Sequence, residues 1–257
     1  MKFIAEIGVN HLGSEDSAVN YSTRLASTLV DGVTLQIREG SFYDESSPWK
    51  RNLSKQCYIE CGVIIKDSGK SFGIAVSDLD TARRSIDLNP DFWKILSWGI
   101  KDIPLIRFLV ETSIPVYVST GISDMNEIKL VAQMFEGKVS FIHTQLSTEI
   151  EDVNLAAIRT IKNATGCHVS FGLHCDNFDV IKAAITFEPY ALFFYVKEEP
   201  NYDYPDGSYA ILVSDIDTIA QSVKLLRKAV GNGLKHKFIP KTLSEENKPQ
   251  ALRSKLS

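Results

Sequence analysis

Eight short apolar segments alternate with eight longer amphipathic segments over the first 230 residues, and this alternation limits the fold more than any other feature. The apolar segments are rich in Val, Ile and Phe, which favour strands, whereas the segments between them have helical spacing. The predicted strands are 2–8, 33–37, 72–76, 92–96, 114–120, 139–143, 168–171 and 190–196. Eight strand-then-helix units predict an α/β fold of the (β/α)8 TIM-barrel type.

A doubly wound open sheet is the main alternative to the barrel. Such sheets usually have fewer units and often a glycine-rich first turn of the form G-x-G-x-x-G, whereas the first turn here reads "GVNHLGS". The predicted helices are 15–30, 53–68, 79–86, 103–112, 125–135, 152–164, 178–187 and 214–230. The pattern therefore favours one barrel domain over residues 1–230, followed by an extended polar tail over 231–257.

Composition excludes some classes of function. The net charge is -4 and there is no long basic run, so nucleic acid is not an expected partner. No segment approaches the ~20 apolar residues of a membrane span, and the opening "MKFIAEIGV" is too short for a signal peptide, so we expect a cytoplasmic protein without a membrane partner. Cys57 and Cys61 lie four residues apart on one helical face, and we interpret them as buried thiols.

Polar side chains follow most of the predicted strands, and in TIM barrels the catalytic groups gather at these carboxyl ends. The residues are Glu6, Asn10, His11, Gln36, Arg38, Ser77, Lys94, Ser97, Ser119, His143, Asn154, His174 and Glu198. One lysine with several hydroxyls suits an anionic ligand, either phosphate or carboxylate. Purely structural roles stay open, because Lys94 could form a salt bridge at the barrel bottom and Ser119 could cap the next helix.

The segment "SFGLHCDN" at 170–177 contains three side chains that bind metals. His174 and Glu198 lie on neighbouring predicted strands and could bind one divalent metal, Mn or similar, since imidazole and carboxylate suit such ions. A single histidine at a strand end is also often a satisfied polar residue. Cys175 follows His174 directly, but adjacent residues usually point apart, so a cysteine nucleophile is the less favoured alternative.

Several segments resemble the sialic acid synthase family, whose members condense phosphoenolpyruvate with an N-acetylated hexose. "FIAEIGVNHLGS" at 3–14 is similar to the family's opening, "IAEIGxNHNGS". "IPVYVSTGISDMNEI" at 114–128 and "EDVNLAAIRTIK" at 151–162 resemble two further family segments, and the likeness covers about residues 3–230. The tail resembles a linker that leads, in the family, to an antifreeze-like domain.

The resemblance implies roles for individual residues. Phosphoenolpyruvate would be held by Lys94, Ser97, Ser119 and Asn154, with the Ser77 hydroxyl in the same pocket. The first metal-binding histidine would be His174, and Glu198 stands where the family has the second. Contacts to the sugar, or ordering of the site, would come from Glu6, Asn10, His11 and Gln36, with Glu6, His11 and Lys94 as the catalytic candidates.

Some positions depart from the family pattern. Thr34 replaces a lysine, Gly172 replaces a serine, and "YPDGSYA" at 204–210 lacks a histidine. Losing one lysine from a phosphate pocket removes a charge-assisted contact that is often worth about 1.5–3 kcal/mol. Arg38 could replace the lost charge, but we expect it to face solvent.

The resemblance therefore predicts an enzyme that joins phosphoenolpyruvate to an amino-sugar aldehyde to give a nonulosonic or related 2-keto-3-deoxy acid. It also implies a divalent metal cofactor, and allows a homodimer. Two alternatives remain: a diverged metal-dependent aldolase or lyase with a different donor, and an inactive barrel that acts as a binding subunit.

Overall fold

Eight parallel strands close into a barrel in the computed structural model of the chain, which describes residues 1–235. The strands are β1 Lys2–Gly8, β2 Gly32–Ile37, β3 Ser71–Val76, β4 Phe92–Ile95, β5 Val116–Ser119, β6 Val139–His143, β7 Val169–Leu173, β8 Ala191–Lys197 and the short β9 Ile211–Leu212. Neighbours pair in chain order, and β1 also pairs with β8, which closes the sheet. β9 pairs with the carboxyl end of β8. The predicted (β/α)8 barrel is confirmed.

Helices connect the barrel strands on the outside. They are α1 Glu15–Ala26, α2 Lys55–Asp67, α3 Leu79–Ser85, α4 Ile103–Glu111, α5 Met125–Met134, α6 Ala156–Thr165, α7 Asp179–Ala184 and α8 Ile216–Val230. Side-chain caps fix the starts of the first five helices, at Ser14, Ser54, Asp78, Asp102 and Asp124. Such caps satisfy backbone N–H groups of the first turn, which is why these starts could be predicted closely from the sequence. None of the described helices has the length and apolarity needed to cross a bilayer.

Two helix predictions were wrong by four residues at one end. Helix α6 begins at Ala156 rather than at residue 152, because residues 150–152 form a 3-10 turn and Asn154 has a φ of 46°, which an α-helix does not allow. Helix α1 ends at Ala26 rather than at residue 30, and the Leu29 N–H donates instead to Asp217 of α8, at 2.6 Å. The predicted tail lies outside the described residues from residue 236 onward.

Alternate residues of each strand point into the barrel. Those near the amino-terminal end of the barrel form an apolar layer. This layer consists of Ile4, Phe92, Tyr117, Ile142, Ala191 and Phe193, all buried. The rings of Phe92, Tyr117 and Phe193 contact edge to face, with centroids 5.4–6.4 Å apart. The layer fills the amino-terminal half of the barrel, so the carboxyl end is the half that can hold a ligand.

Gly73 makes room for the Phe92 ring within this layer. A Cβ atom at Gly73 would lie 2.3 Å from two carbons of the ring, which is far inside van der Waals contact. The ring is itself held by Tyr117 and Phe193, so it cannot move away freely.

We expect Gly73→Ala to lower the free energy of unfolding by about 1–3 kcal/mol, because one added methyl overpacks the barrel interior. Chemical denaturation measures this. The control is Gly40→Ala, where an added Cβ meets nothing within 4 Å. Equal stabilities of the two variants would contradict the packing argument.

Candidate active site

A buried ion pair spans the barrel above the apolar layer. Glu6 of β1 and Lys94 of β4 point inward from strands that are not neighbours, and the Lys94 Nζ donates to the Glu6 carboxylate. The two residues are 2% and 3% exposed. The ammonium also lies 5.6 Å from the centroid of the Tyr195 ring and 5.8 Å from that of Phe193, which adds cation–π attraction. Each charge compensates the other, so losing one would leave the other buried and unpaired.

A cavity of about 290 Å³ opens at the carboxyl end of the barrel, and we call it the mouth cavity. Five of the residues predicted to bind substrate or metal line it: Gln36, Lys94, Ser97, Ser119 and His174. The charged and aromatic residues outside that predicted set that line it as well are Arg38, Trp98, Tyr195, Asp206 and Tyr209. Basic, hydroxyl and aromatic groups therefore converge on one space above Lys94.

A second cavity, of about 300 Å³, lies outside the barrel between α2 and α3. It is lined by residues such as Tyr43, Tyr58 and Thr81, and by Arg38 from its inner side. Apart from Arg38, none of the polar residues that the sequence places at strand ends lines it, so the mouth cavity is the candidate active site.

His174 is held in the wall of the mouth cavity in its neutral form. Its Nδ1 is hydrogen-bonded with the Thr144 hydroxyl at 2.7 Å, and its ring packs against Tyr195 and Tyr209, with centroids 5.5 and 4.9 Å away. Burial, and then the positive charge of Lys94, lower the pKa of His174 to about 3. A Cβ at Gly172 would lie 3.2 Å from the Thr144 Cβ. It would also lie 3.1 Å from Ile142 Cγ2, so a serine at position 172 would require both neighbours to shift slightly.

The segment 204–210 covers one side of the cavity. The Tyr209 hydroxyl donates to Asp206 Oδ1 at 2.7 Å, and the Asp206 N–H donates to Asn10 Oδ1 at 3.0 Å. The Asn10 amide in turn donates to the Val196 carbonyl at 2.9 Å. Burial raises the pKa of Asp206. Asn10 therefore fastens the segment to the barrel, and Asp206 could have been suspected from the sequence because "YPDGSYA" keeps the aspartate of the family's "GPDHKAS".

Gly8 allows this arrangement at the end of β1. Its φ is +59°, and a Cβ there would lie 2.5 Å from the Tyr195 ring and 2.7 Å from Asp206 Oδ2. Only the absence of a side chain lets the backbone approach both groups in this left-handed conformation.

The structure does not bring His174 and Glu198 together. Glu198 Oε1 accepts from the Asn20 amide at 2.6 Å and from Arg24 Nη1 at 3.1 Å, both on α1, and Glu198 does not line the mouth cavity. The reason is alternation: Tyr195 points into the barrel, so Glu198, an odd number of residues later, points outward.

The donor set does not fit the divalent metal that the resemblance implies. Residues 1–235 contain no group of three or more His, Cys, Asp or Glu side chains placed to hold a metal ion. Of the described residues that line the mouth cavity, His174 and Asp206 are the two of these types. A catalytic zinc-like site usually needs three protein ligands. With two such residues, the described part of the cavity wall falls short of that number, and the metal remains a prediction from the resemblance.

The remaining predicted residues lie around the cavity rather than in its wall. His11 is buried, and its Nδ1 accepts from the Gly13 N–H at 3.0 Å. The Ser77 hydroxyl is buried without a hydrogen-bond partner among residues 1–235. Asn154 is exposed. His143 points outward, and its Nε2 is hydrogen-bonded with the Val153 carbonyl at 3.0 Å.

Three of the four cysteines are buried free thiols. Cys57 and Cys61 lie on the buried face of α2, as predicted, and burial raises the pKa of Cys57 to about 12. Cys175 is 1% exposed and belongs to the core between the sheet and the helices, so it points away from the mouth cavity. It therefore makes no nucleophile–base pair with His174.

Arg38 does not face solvent, and that expectation was wrong. Its side chain is 19% exposed and lines the mouth cavity. Position 38 directly follows β2 and continues the alternation of Thr34 and Gln36, which directs the side chain toward the barrel axis.

Comparison with known proteins identifies the family of the chain. A profile of the NeuB family matches residues 49–235. The chain belongs to the NeuB family, which confirms the resemblance to sialic acid synthases. An uncharacterized protein of Methanocaldococcus jannaschii is 24% identical over 254 residues, which cover 90% of this chain and 72% of that protein. The N,N'-diacetyllegionaminic acid synthase of Campylobacter jejuni is 20% identical over 260 residues, covering 90% of this chain and 78% of that enzyme.

A solved structure has the same fold. The crystal structure of an N-acetylneuraminic acid (sialic acid) synthetase from Leptospira borgpetersenii matches with a TM-score of 0.82 and 18% identity, covering 93% of this chain and 87% of that chain. Family membership and the names of the relatives indicate a synthase-type enzyme.

In this NeuB-family barrel we expect Lys94→Met to lower the free energy of unfolding by about 3–5 kcal/mol, because Glu6 would remain as a buried unpaired charge. The double variant Glu6→Gln with Lys94→Met should recover most of the loss. Chemical denaturation of the wild type, both single variants and the double variant measures the coupling. Additive losses would show that the two groups do not compensate each other.

A second prediction concerns His11, whose pKa burial lowers to about 4. An unfolded histidine titrates near 6.5, so the unfolded state binds the proton more readily, and stability falls as the pH drops from about 6.5 toward 4. Between pH 7 and pH 4.5 His11 should account for about 2–3 kcal/mol of lost stability. Unfolding of the wild type and of His11→Gln at both pH values checks this, and equal pH dependence in the two proteins would contradict it.

Proposed function

We propose that this chain joins phosphoenolpyruvate to the open-chain aldehyde of an N-acetylated amino sugar, giving a nonulosonic or related 2-keto-3-deoxy acid. The observation that carries the proposal is the Lys94 ammonium, buried in the wall of the mouth cavity and accompanied there by the Ser97 and Ser119 side chains. An ammonium with neighbouring hydroxyls suits a small, strongly anionic donor. Membership of the NeuB family, with relatives named as sugar acid synthases, supports the same reaction class.

The proposed reaction forms one carbon–carbon bond and releases phosphate. The C3 carbon of phosphoenolpyruvate bonds to the aldehyde carbon, and the aldehyde oxygen takes up a proton. Water supplies a hydroxyl to C2, and the C2–O bond to phosphate then breaks to leave the keto group. The protein would contribute chiefly by positioning the donor and stabilising its charges, which is a large term in most enzymes.

Four of the candidate residues have a part in this proposal. Lys94 binds the donor. Glu6 holds the Lys94 ammonium from across the barrel, so Glu6 acts through Lys94. Gln36 and Ser119 line the space beside the donor. The cavity volume of about 290 Å³ lies at the small end for ligand sites, which suits a three-carbon donor with the sugar reaching in from solvent.

A second candidate is an aldolase or lyase that uses a less anionic donor. It is favoured by the pairing of Lys94 with Glu6 and by the neutral Thr34, because together they leave little uncompensated positive charge deep in the barrel. Such an enzyme would consume a 2-oxo acid, such as pyruvate, without phosphate release.

The test is phosphate release from phosphoenolpyruvate in the presence of N-acetylmannosamine and related amino sugars, with and without added Mn²⁺, and with the sugar acid identified by mass spectrometry. We expect Lys94→Met to lower kcat/KM roughly 10- to 100-fold, because a charge-assisted contact to the donor is lost. Lys55→Met, a cation outside the mouth cavity, serves as the control. The proposal fails if no amino sugar triggers phosphate release under either metal condition.

A further inference from the structure

Arg38 and Lys94 lie at different depths on the inward face of the barrel. Gln36 of β2 is in register with Ala75 of β3, and Ala75 with Lys94 of β4. Arg38 is two residues beyond Gln36 in the direction of the carboxyl ends of the strands, so it lies nearer the mouth than Lys94. Arg38 and Lys94 are the two cationic residues among the described residues that line the mouth cavity.

The guanidinium of Arg38 is held rigidly. Its Nε donates to Glu39 Oε2 at 3.1 Å, and its Nη2 donates to Glu39 Oε1 at 2.9 Å. Its Cζ lies 4.1 Å from the centroid of the Phe42 ring and 4.8 Å from that of Trp98, so two aromatic rings contact it. A guanidinium held in this way has already lost most of the freedom that ligand binding would remove.

The side of the guanidinium away from Glu39 still has donors to offer. Arginine has five N–H groups, and Glu39 takes two of them. The remaining three have no hydrogen-bond partner within residues 1–235. They can present the paired N–H geometry that matches two oxygens of a phosphate.

We propose that Arg38 binds the phosphate group of the donor at the mouth of the barrel, while Lys94 binds the deeper end of the same molecule. This inference rests on the proposed function. A phosphate at the outer position can leave to solvent after the bond to C2 breaks, whereas a phosphate beneath the sugar could not. Thr34 carries no charge, whereas Arg38, four residues later in the chain, supplies a cation to the cavity.

The test measures binding by isothermal titration calorimetry, using phosphoenolpyruvate, inorganic phosphate and pyruvate as separate probes. Arg38→Met should weaken binding of phosphoenolpyruvate and inorganic phosphate at least roughly tenfold and leave pyruvate binding unchanged. Arg38→Lys should recover part of the affinity, because lysine keeps the positive charge but lacks the paired N–H donors of the guanidinium. The matched control is Lys50→Met, which removes one cation that stacks on the same Phe42 ring without lining the cavity.

The outcomes separate this inference from the proposed function. Unchanged phosphoenolpyruvate binding in Arg38→Met overturns the role of Arg38 and leaves the synthase proposal standing. Equal weakening for pyruvate overturns the assignment to phosphate. A wild type that binds inorganic phosphate through Arg38 but releases none from phosphoenolpyruvate keeps the inference and rejects the proposed reaction. If the Arg38→Met variant does not fold, Arg38→Lys decides, since full affinity in that variant would contradict a bidentate contact.

Discussion

The closed parallel barrel forces side chains to alternate strictly between its interior and its outer face, and the site depends on this constraint. Lys94 and His174 occupy inward positions and reach the mouth cavity, as Arg38 does from β2. Glu198 and Cys175 fall on outward positions, where one pairs with α1 and the other packs beneath the helices. A shift of one residue in the register of any strand would exchange these roles, because the period along a strand is two.

Electrostatics then decides what the inward groups can do. Glu6 and Lys94 are buried together above an apolar layer, where each compensates the charge of the other. The pair leaves the deep part of the cavity nearly neutral. The Arg38 guanidinium, held by two rings and nearer to solvent, keeps donors for an anion. The two cations thus differ in depth and in how much of their charge and hydrogen-bonding capacity is already used within the protein. This difference is the physical basis for the proposal that they bind opposite ends of one ligand.

Much of the site could be predicted from the sequence because it follows from the ends of strands. Gln36, Lys94, Ser97, Ser119 and His174 were all expected there, and all line the cavity. Asp206 and Tyr209 were missed, since they come from an irregular segment whose path depends on the hydrogen bond that the Asp206 N–H donates to Asn10, far away in the chain. The role of Glu198 was predicted from a family position, but its partners Asn20 and Arg24 lie on the first helix, and no local pattern connects residues so distant.

By itself the sequence determined the barrel, the order of its strands and most helix starts, because apolar periodicity and capping side chains act over a few neighbouring residues. Tertiary structure alone decided which polar groups share the mouth cavity and what each of them touches. It paired Lys94 with Glu6 across the barrel and placed Arg38 against Phe42 and Trp98. These contacts join residues from separate strands and loops, so they exist only once the sheet has closed and its twist has set the distance between them.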